Sequence, residues 1–160
     1  MDTTALEIEF DENDICSFCK EYEIRSSKDL HDDPEDEENL RKYLENIKSK
    51  RKNHKYDCLI GVSGGVDSSY VAYLLKNVYG LNPLAIHLDN GWNSELAVSN
   101  VENIMKILDI DLITHVLDWN EFKDIQLSFL KSSISNVEIP TDHAIWALLI
   151  KTASNMNIPY

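Results

Sequence analysis

The sequence predicts an α/β fold in which a parallel sheet is covered by helices on both faces. After residue 56, short apolar runs alternate with longer segments whose apolar residues recur at helical spacing. This alternation is the order expected when each parallel strand is followed by a covering helix. At 160 residues, with 43% hydrophobic and 27% charged residues, the chain has the size and composition of one globular domain.

The N-terminal part has a different residue pattern. Residues 1–34 contain short pieces of alternating hydrophobicity and a Cys-x-x-Cys pair formed by Cys16 and Cys19. Since no helical period is visible up to residue 24, we predict a small strand-and-turn module here. The acidic run at 32–38 is interpreted as a solvated linker or as the start of a helix.

Residues 35–55 are predicted to form a connector helix. Apolar side chains recur there with the i, i+3, i+4, i+7 spacing of an amphipathic helix, at Leu40, Tyr43, Leu44 and Ile47. The basic residues within 48–55 suit the C-terminal end, where the helix dipole favours positive charge.

Residues 56–160 are predicted to form the sheet domain. We place strands at 56–62, 83–88 and 111–117, and helices near 67–79, 93–108, 120–133 and 142–156. The last residues, 155–160, resemble the lead-in to a fourth strand, so we expect the sheet to be incomplete. An open sheet edge favours pairing with another chain, which makes a homo-oligomer one expected assembly.

Charge and hydropathy exclude several classes of protein. Fifteen basic and 28 acidic residues give a net charge of −13, which repels phosphate backbones, so we predict no nucleic-acid partner. No apolar run approaches the roughly 20 residues of a membrane span. The first residues lack both the basic and the apolar region of a secretory signal, and we predict a cytoplasmic location.

Three cysteines, an odd number without a secretion signal, do not describe a disulfide framework. Cys58 lies in an apolar predicted strand and is interpreted as a small buried hydrophobic residue.

The most informative motif lies between the first predicted strand of the sheet and the helix that follows. Its glycines allow positive φ and leave backbone N–H groups free to converge on a phosphate, to which the helix N-terminus adds its dipole. The serine hydroxyls can donate to phosphate oxygens, while Asp67 can cap the helix or hold the metal that accompanies a triphosphate. The motif has neither Walker-loop nor dinucleotide-fingerprint spacing. It consists of Ser63, Gly64, Gly65, Val66, Asp67, Ser68 and Ser69.

Residues 63–68 resemble the SGGxDS loop of the PP-loop ATP pyrophosphatases, which split ATP between its α and β phosphates. The resemblance implies a Rossmann-like sheet of the HUP type and binding of ATP with Mg²⁺. Residues 84–92 are similar to the family's adenosine-contacting strand and the loop after it, so Asp89 is expected beyond the carboxyl end of that strand. His87 has two interpretations, core packing or a contact with the nucleotide.

Two further stretches, 89–97 and 138–145, resemble the N-acetyl sugar amidotransferases. This resemblance implies that ATP adenylates the acetamido oxygen of an activated sugar. Ammonia from a glutaminase partner then displaces AMP, giving an acetamidino sugar for surface-polysaccharide (lipopolysaccharide) biosynthesis. An amide oxygen is a poor leaving group, and adenylation makes it a good one while metal and backbone donors hold the departing pyrophosphate.

Asp142 and His143 are the remaining catalytic candidates. They follow a Pro-Thr pair that suits a helix entry, so Thr141 or Asp142 can equally be an N-cap. His143 can act as a general acid or base near neutral pH.

Cys16 and Cys19 are the metal candidates. The resembling family usually carries two Cys-x-x-Cys pairs near its N-terminus, the number of thiolates that a structural zinc site requires. With one pair, a Zn²⁺ site needs help from His31, His54, a second chain or solvent. The alternative is a pair of free thiols.

Two other functions remain open from the sequence. A tRNA-modifying PP-loop enzyme, for thiolation or lysidine synthesis, predicts a basic surface, which the net charge of −13 opposes. A non-catalytic domain that binds ATP or AMP without turnover is the second alternative, because the resemblance covers only the first half of the family.

Overall fold

The computed structural model describes residues 2–29, 34–50 and 54–160. The chain divides into two compact units, Met1–Lys42 and Tyr43–Tyr160, with the division inside the predicted connector helix. The domain bounds proposed above stay a prediction.

The helices are α1 (Ser17–Asp29), α2 (Pro34–Ser49), α3 (Val66–Tyr73), α4 (Glu95–Leu108), α5 (Trp119–Lys131) and α6 (Ile139–Met156). The strands are β1 (Cys58–Gly61), β2 (Pro83–Asp89) and β3 (Asp111–Val116).

The first unit corrects the prediction of a strand-and-turn module. A single antiparallel bridge joins Phe10 to Cys16, and the 13-residue helix α1 begins immediately afterwards. No residue of α1 is buried. The helix therefore has no apolar stripe, and its sequence shows no hydrophobic periodicity. Local pairs hold it instead, among them the i, i+4 ion pair of Arg25 and Glu21 at 2.8 Å.

The sheet is parallel, with strand order β1-β2-β3 and β2 in the centre, and it confirms the predicted α/β class. Helices cover both faces. One face packs Val62, Ala85 and Leu112 under α3 and α4, and the other packs Leu84 and Ile86 under α6. β2 is almost wholly buried because it lies between two strands and two helical layers.

The outer edge of β1 is occupied at one point by the last residue. Val62 donates to Ile86 O on the β2 side, and backbone groups along a strand alternate in direction. Leu59 N therefore points to the opposite edge, where it donates to Tyr160 O at 2.8 Å. The described residues form three strands, so the interpretation of residues 155–160 as the lead-in to a fourth stays a prediction.

Most element bounds lie within a few residues of the prediction, with two physical differences. The helix predicted over 67–79 is α-helical only to Tyr73 and continues as a π-helical turn, Leu74–Val78. β1 is shorter than the predicted strand at both ends, although Tyr56 and Val62, which lie beyond its ends, are both buried. In the part of the chain that the structure describes, no helix is both long and apolar enough to cross a membrane.

Candidate active site

The glycine-rich loop leaves the carboxyl end of β1 and enters α3 in a conformation that needs Gly64. The residue has φ +80°, and a Cβ there would lie 2.5 Å from Ala97 O in the first turn of α4. Gly65 is the N-cap of α3 in ordinary extended geometry, φ −78°. The first glycine thus lets the loop pass close to α4, and the second starts the helix.

The N-terminus of α3 has no side-chain cap. By contrast, Ser94 caps α4 and Asp118 caps α5, each by accepting bonds from first-turn N–H groups. The first N–H groups of a helix have no intrahelical partner, so an uncapped first turn is a ready anion site. Asp67 lies exposed in this turn and does not serve as the cap considered above.

The loop serines hold the loop itself together. Ser68 Oγ lies 3.3 Å from both Ser63 N and Ser63 Oγ, and Ser69 Oγ donates to Gly65 O at 2.7 Å. These contacts preform the curve of the loop before any ligand arrives, which lowers the ordering cost of binding.

A cavity of about 690 Å³ opens beside the loop, at the carboxyl ends of β1 and β2. This volume lies within the range of small-molecule sites, and the position is where α/β sheets bind their ligands. Its walls come from both strands, the loop after β2, α5 and α6. The lining includes Ser63, Ile86, His87, Asn90, Trp92, Asn93, Gln126, Glu138, Thr141 and Ile145.

His87 lines the cavity and has partners on both ring nitrogens. Nδ1 lies 2.8 Å from Val62 O, which can only accept, so Nδ1 carries the proton. Nε2 then accepts from Asn93 Nδ2 at 3.3 Å. His87 is 3% exposed and its ring holds Val62, the residue just before the loop. The same side chain lines the cavity, so core packing does not exclude a contact with a nucleotide.

Asp89 and Asn90 shape the turn after β2. Asp89 Oδ1 accepts from Gly91 N at 2.9 Å, and Asn90 Oδ1 accepts from Trp92 N at 3.1 Å. Asn90 Nδ2 donates to Thr141 Oγ1 at 3.2 Å, which joins this turn to the first part of α6. The structure thereby brings together two segments that are 51 residues apart in the sequence.

Asp142 and His143 do not line the cavity. The residues of α6 that do so lie at positions 141, 145, 148 and 149, one face of the helix, and both Asp142 and His143 are exposed away from it. The N-cap interpretation of Thr141 or Asp142 is wrong, because α6 begins at Ile139 after the N-cap Glu138. Their proposed chemistry stays a prediction.

Gln126 is the cavity residue that the sequence analysis missed most plainly. It is 8% exposed and donates from Nε2 to Val137 O at 2.7 Å. A signal was present, since Phe122, Gln126 and Leu130 are spaced i, i+4, i+8, which puts one polar residue on an otherwise apolar stripe of α5.

In the first unit, the thiols of Cys16 and Cys19 lie 3.4 Å apart, with Cys16 buried and Cys19 exposed. The backbone N–H of Cys19 donates to Cys16 Sγ at 3.4 Å and lowers the pKa of the Cys16 thiol. The side-chain hydrogen bond between the two thiols raises the pKa of the Cys19 thiol. Within residues 2–29, 34–50 and 54–160, no three His, Cys, Asp or Glu side chains are placed to hold a metal ion. His31 lies outside these residues, and zinc stays a prediction.

The opposite pKa shifts of the pair predict a two-step ionisation. In a Cys58→Ala variant, which removes the third thiol, thiolate absorbance near 240 nm should rise once below and once above the ordinary thiol pKa of about 8.5. Cys19→Ser in the same background should keep the lower step, because the backbone donor to Cys16 remains. A single step at the ordinary value would contradict the geometry of the pair.

A parallel α/β sheet with Ser-Gly-Gly-Val-Asp-Ser at the end of its first strand is the domain of the PP-loop ATP pyrophosphatases, and this chain is a member of that superfamily. Within it, the chain belongs to the NAD synthase family, whose sequence profile matches residues 35–136.

Two similar proteins are longer than this chain. The chain is 34% identical over 94 residues to an uncharacterized protein of Methanocaldococcus jannaschii, a match covering 57% of this chain and 34% of the relative. It is 34% identical over 80 residues to the glutamine-hydrolyzing GMP synthase of Pyrobaculum aerophilum, covering 50% and 15% respectively. The chain thus spans about a third or less of the length of these relatives.

Solved structures show a similar fold. The NMN synthetase of Francisella tularensis matches with a TM-score of 0.50 and 22% identity, over 75% of this chain and 51% of that one. The NH3-dependent NAD synthetase of Campylobacter jejuni matches with a TM-score of 0.49 and 20% identity, over 75% and 53%.

Proposed function

We propose that the chain binds ATP with Mg²⁺, adenylates a substrate oxygen and passes the activated group to ammonia. The observation that carries this proposal is the preformed loop, which leads into an uncapped helix N-terminus and whose first residue, Ser63, lines a ligand-sized cavity. The name of one similar protein, the glutamine-hydrolyzing GMP synthase of Pyrobaculum aerophilum, supports ammonia as the nucleophile.

The proposed chemistry assigns a role to each part of the site. The substrate oxygen attacks the α phosphorus, the bond to the β-phosphate oxygen breaks, and pyrophosphate leaves into the loop from Ser63 to Ser69. Backbone N–H groups of the first turn of α3 stabilise the charge of that leaving group. When bound, Mg²⁺ supplies charge neutralisation on the phosphates, and Asp67, exposed beside them, is the residue we propose to hold it.

For the substrate, we propose the acetamido group of an N-acetylated sugar. The support comes from the two stretches that resemble the sugar amidotransferases, 89–97 and 138–145. Both border the cavity, and Asn90 and Thr141 join them by a hydrogen bond of 3.2 Å. The amide oxygen would attack the α phosphorus, and ammonia would then displace AMP to give the acetamidine. Asp142 and His143 stay proposed catalytic residues on the resemblance of 138–145 alone, since neither side chain lines the cavity.

The decisive experiment measures pyrophosphate release from ATP with ammonia and N-acetylated sugar nucleotides, with and without Mg²⁺. We expect release that depends on the metal and on the acceptor, and that falls at least about tenfold in Asp67→Asn. Glu12→Gln, which changes an exposed carboxylate of the other unit, is the matched control. ATP binding without release under any condition would favour the non-catalytic binding domain instead.

The proposed partners can be tested with the same assay. If a glutaminase subunit supplies ammonia, glutamine replaces ammonia only when that subunit is added. Failure of every N-acetylated acceptor, with release on a carboxylate acceptor, would overturn the sugar assignment and leave the adenylation chemistry standing.

A further inference from the structure

Gln126 lines the cavity and holds a fixed hydrogen-bond acceptor. Its Nε2 donates to Val137 O, and a carbonyl can only accept, so the amide cannot be turned round without losing that bond. The structure gives Oε1 no hydrogen-bond partner among the described residues, and the atom is not sealed inside the protein. A group that is 8% exposed and holds one unused acceptor makes binding of a donor favourable.

The surroundings of Gln126 are apolar. Leu130, Val137, Ile145 and Leu148 line the same cavity, so the amide is a polar point in a largely hydrophobic wall. Such a site favours a flat ligand with apolar faces and one donor on its edge. The 6-amino group of adenine is a donor of this kind, whereas guanine carries an acceptor oxygen at the same position.

We propose that Gln126 selects the base of the bound nucleotide by accepting a hydrogen bond from the 6-amino group of adenine. This inference rests on the proposed function, which puts the triphosphate at the loop that borders the same cavity. It adds a specificity-determining residue on α5, outside the phosphate loop. A guanine in the same pose would put its 6-oxo group against Oε1, leaving two acceptors facing each other without a proton between them.

The wild-type chain gives the first test. Dissociation constants are measured by calorimetry for ATP, for purine riboside triphosphate, which has hydrogen in place of the 6-amino group, and for GTP. We expect the analogue to bind about tenfold more weakly than ATP, and GTP more weakly still. ATP and the analogue binding equally would overturn the inference while leaving the proposed function intact. No binding of any nucleotide would overturn the proposed function as well.

Gln126→Met gives the second test, because methionine keeps the length and helix preference of glutamine but removes the amide. The ratio of analogue to ATP dissociation constants should fall from about ten to about one. Asn120→Ala, which removes an exposed amide from the same helix, is the matched control and should keep the wild-type ratio. A ratio unchanged in Gln126→Met would assign base selection to another residue. Circular dichroism checks folding, and if this variant does not fold, the wild-type comparison still decides.

Discussion

Gly64→Ala is expected to abolish detectable ATP binding and pyrophosphate release and to lower the free energy of unfolding. The residue has φ +80°, a conformation that costs an L-residue about 1 kcal/mol or more. The larger effect is steric, because the added Cβ would lie 2.5 Å from Ala97 O and 3.1 Å from the carbonyl carbon. These are backbone atoms in the first turn of α4, so the loop must move away and lose its curve.

Gly65→Ala is the matched control for this prediction. Gly65 has φ −78°, and a Cβ there would meet only Ser63 Oγ at 3.5 Å, an ordinary contact. We expect its free energy of unfolding to stay within about 0.5 kcal/mol of the wild type. Urea unfolding followed by tryptophan fluorescence measures stability, and calorimetry measures ATP binding. Wild-type affinity and stability in Gly64→Ala would show that the loop does not need the close approach to α4.

The phosphate loop could be located from the sequence because its information is local. Two glycines, three serines and an aspartate in seven consecutive residues specify a turn, and the apolar run before it specifies a buried strand. The parallel sheet could be predicted for a similar reason, since each strand and helix of the second unit carries its own period. What the local pattern does not give is how the loop meets its neighbours, such as the approach of Gly64 to Ala97.

Other features depend on contacts between distant residues or on the lack of burial. The link of Asn90 to Thr141 arises only when α6 packs beside β2, and it has no sequence pattern of its own. The polar position of Gln126 on the apolar stripe of α5 is visible in the sequence, but the pattern does not say that the residue borders a cavity. Helix α1 was not predicted because it has no buried side chain, and its sequence therefore carries no apolar stripe at helical spacing. Helix α6 begins at Ile139, three residues before the predicted position, and Asp142 and His143 lie on its exposed side. Element ends are the least certain part of a sequence-based prediction.

Leu84→Ala is expected to cost about 3 kcal/mol of unfolding free energy, which is a large part of the stability of a typical domain. Leu84 is 1% exposed in the central strand and packs in the cluster of Tyr56, Ile86 and Ile158 under α6. Removing its side-chain carbons loses apolar burial and leaves a void that strands paired on both sides cannot close. Because Ile86 and part of α6 also line the cavity, this core holds one wall of the candidate site in place.

Ile113→Ala separates this effect from a general loss of apolar surface. Ile113 lies in the edge strand β3 and is 39% exposed, so we expect the substitution to cost about 1 kcal/mol or less. Urea midpoints at constant m-value give the loss of unfolding free energy in each variant. ATP affinity, measured at urea concentrations well below the midpoint, should be reduced only in Leu84→Ala. Equal losses of stability in the two variants would mean that the sheet is held by its edge as strongly as by its centre, contrary to the burial of β2 between two helical layers.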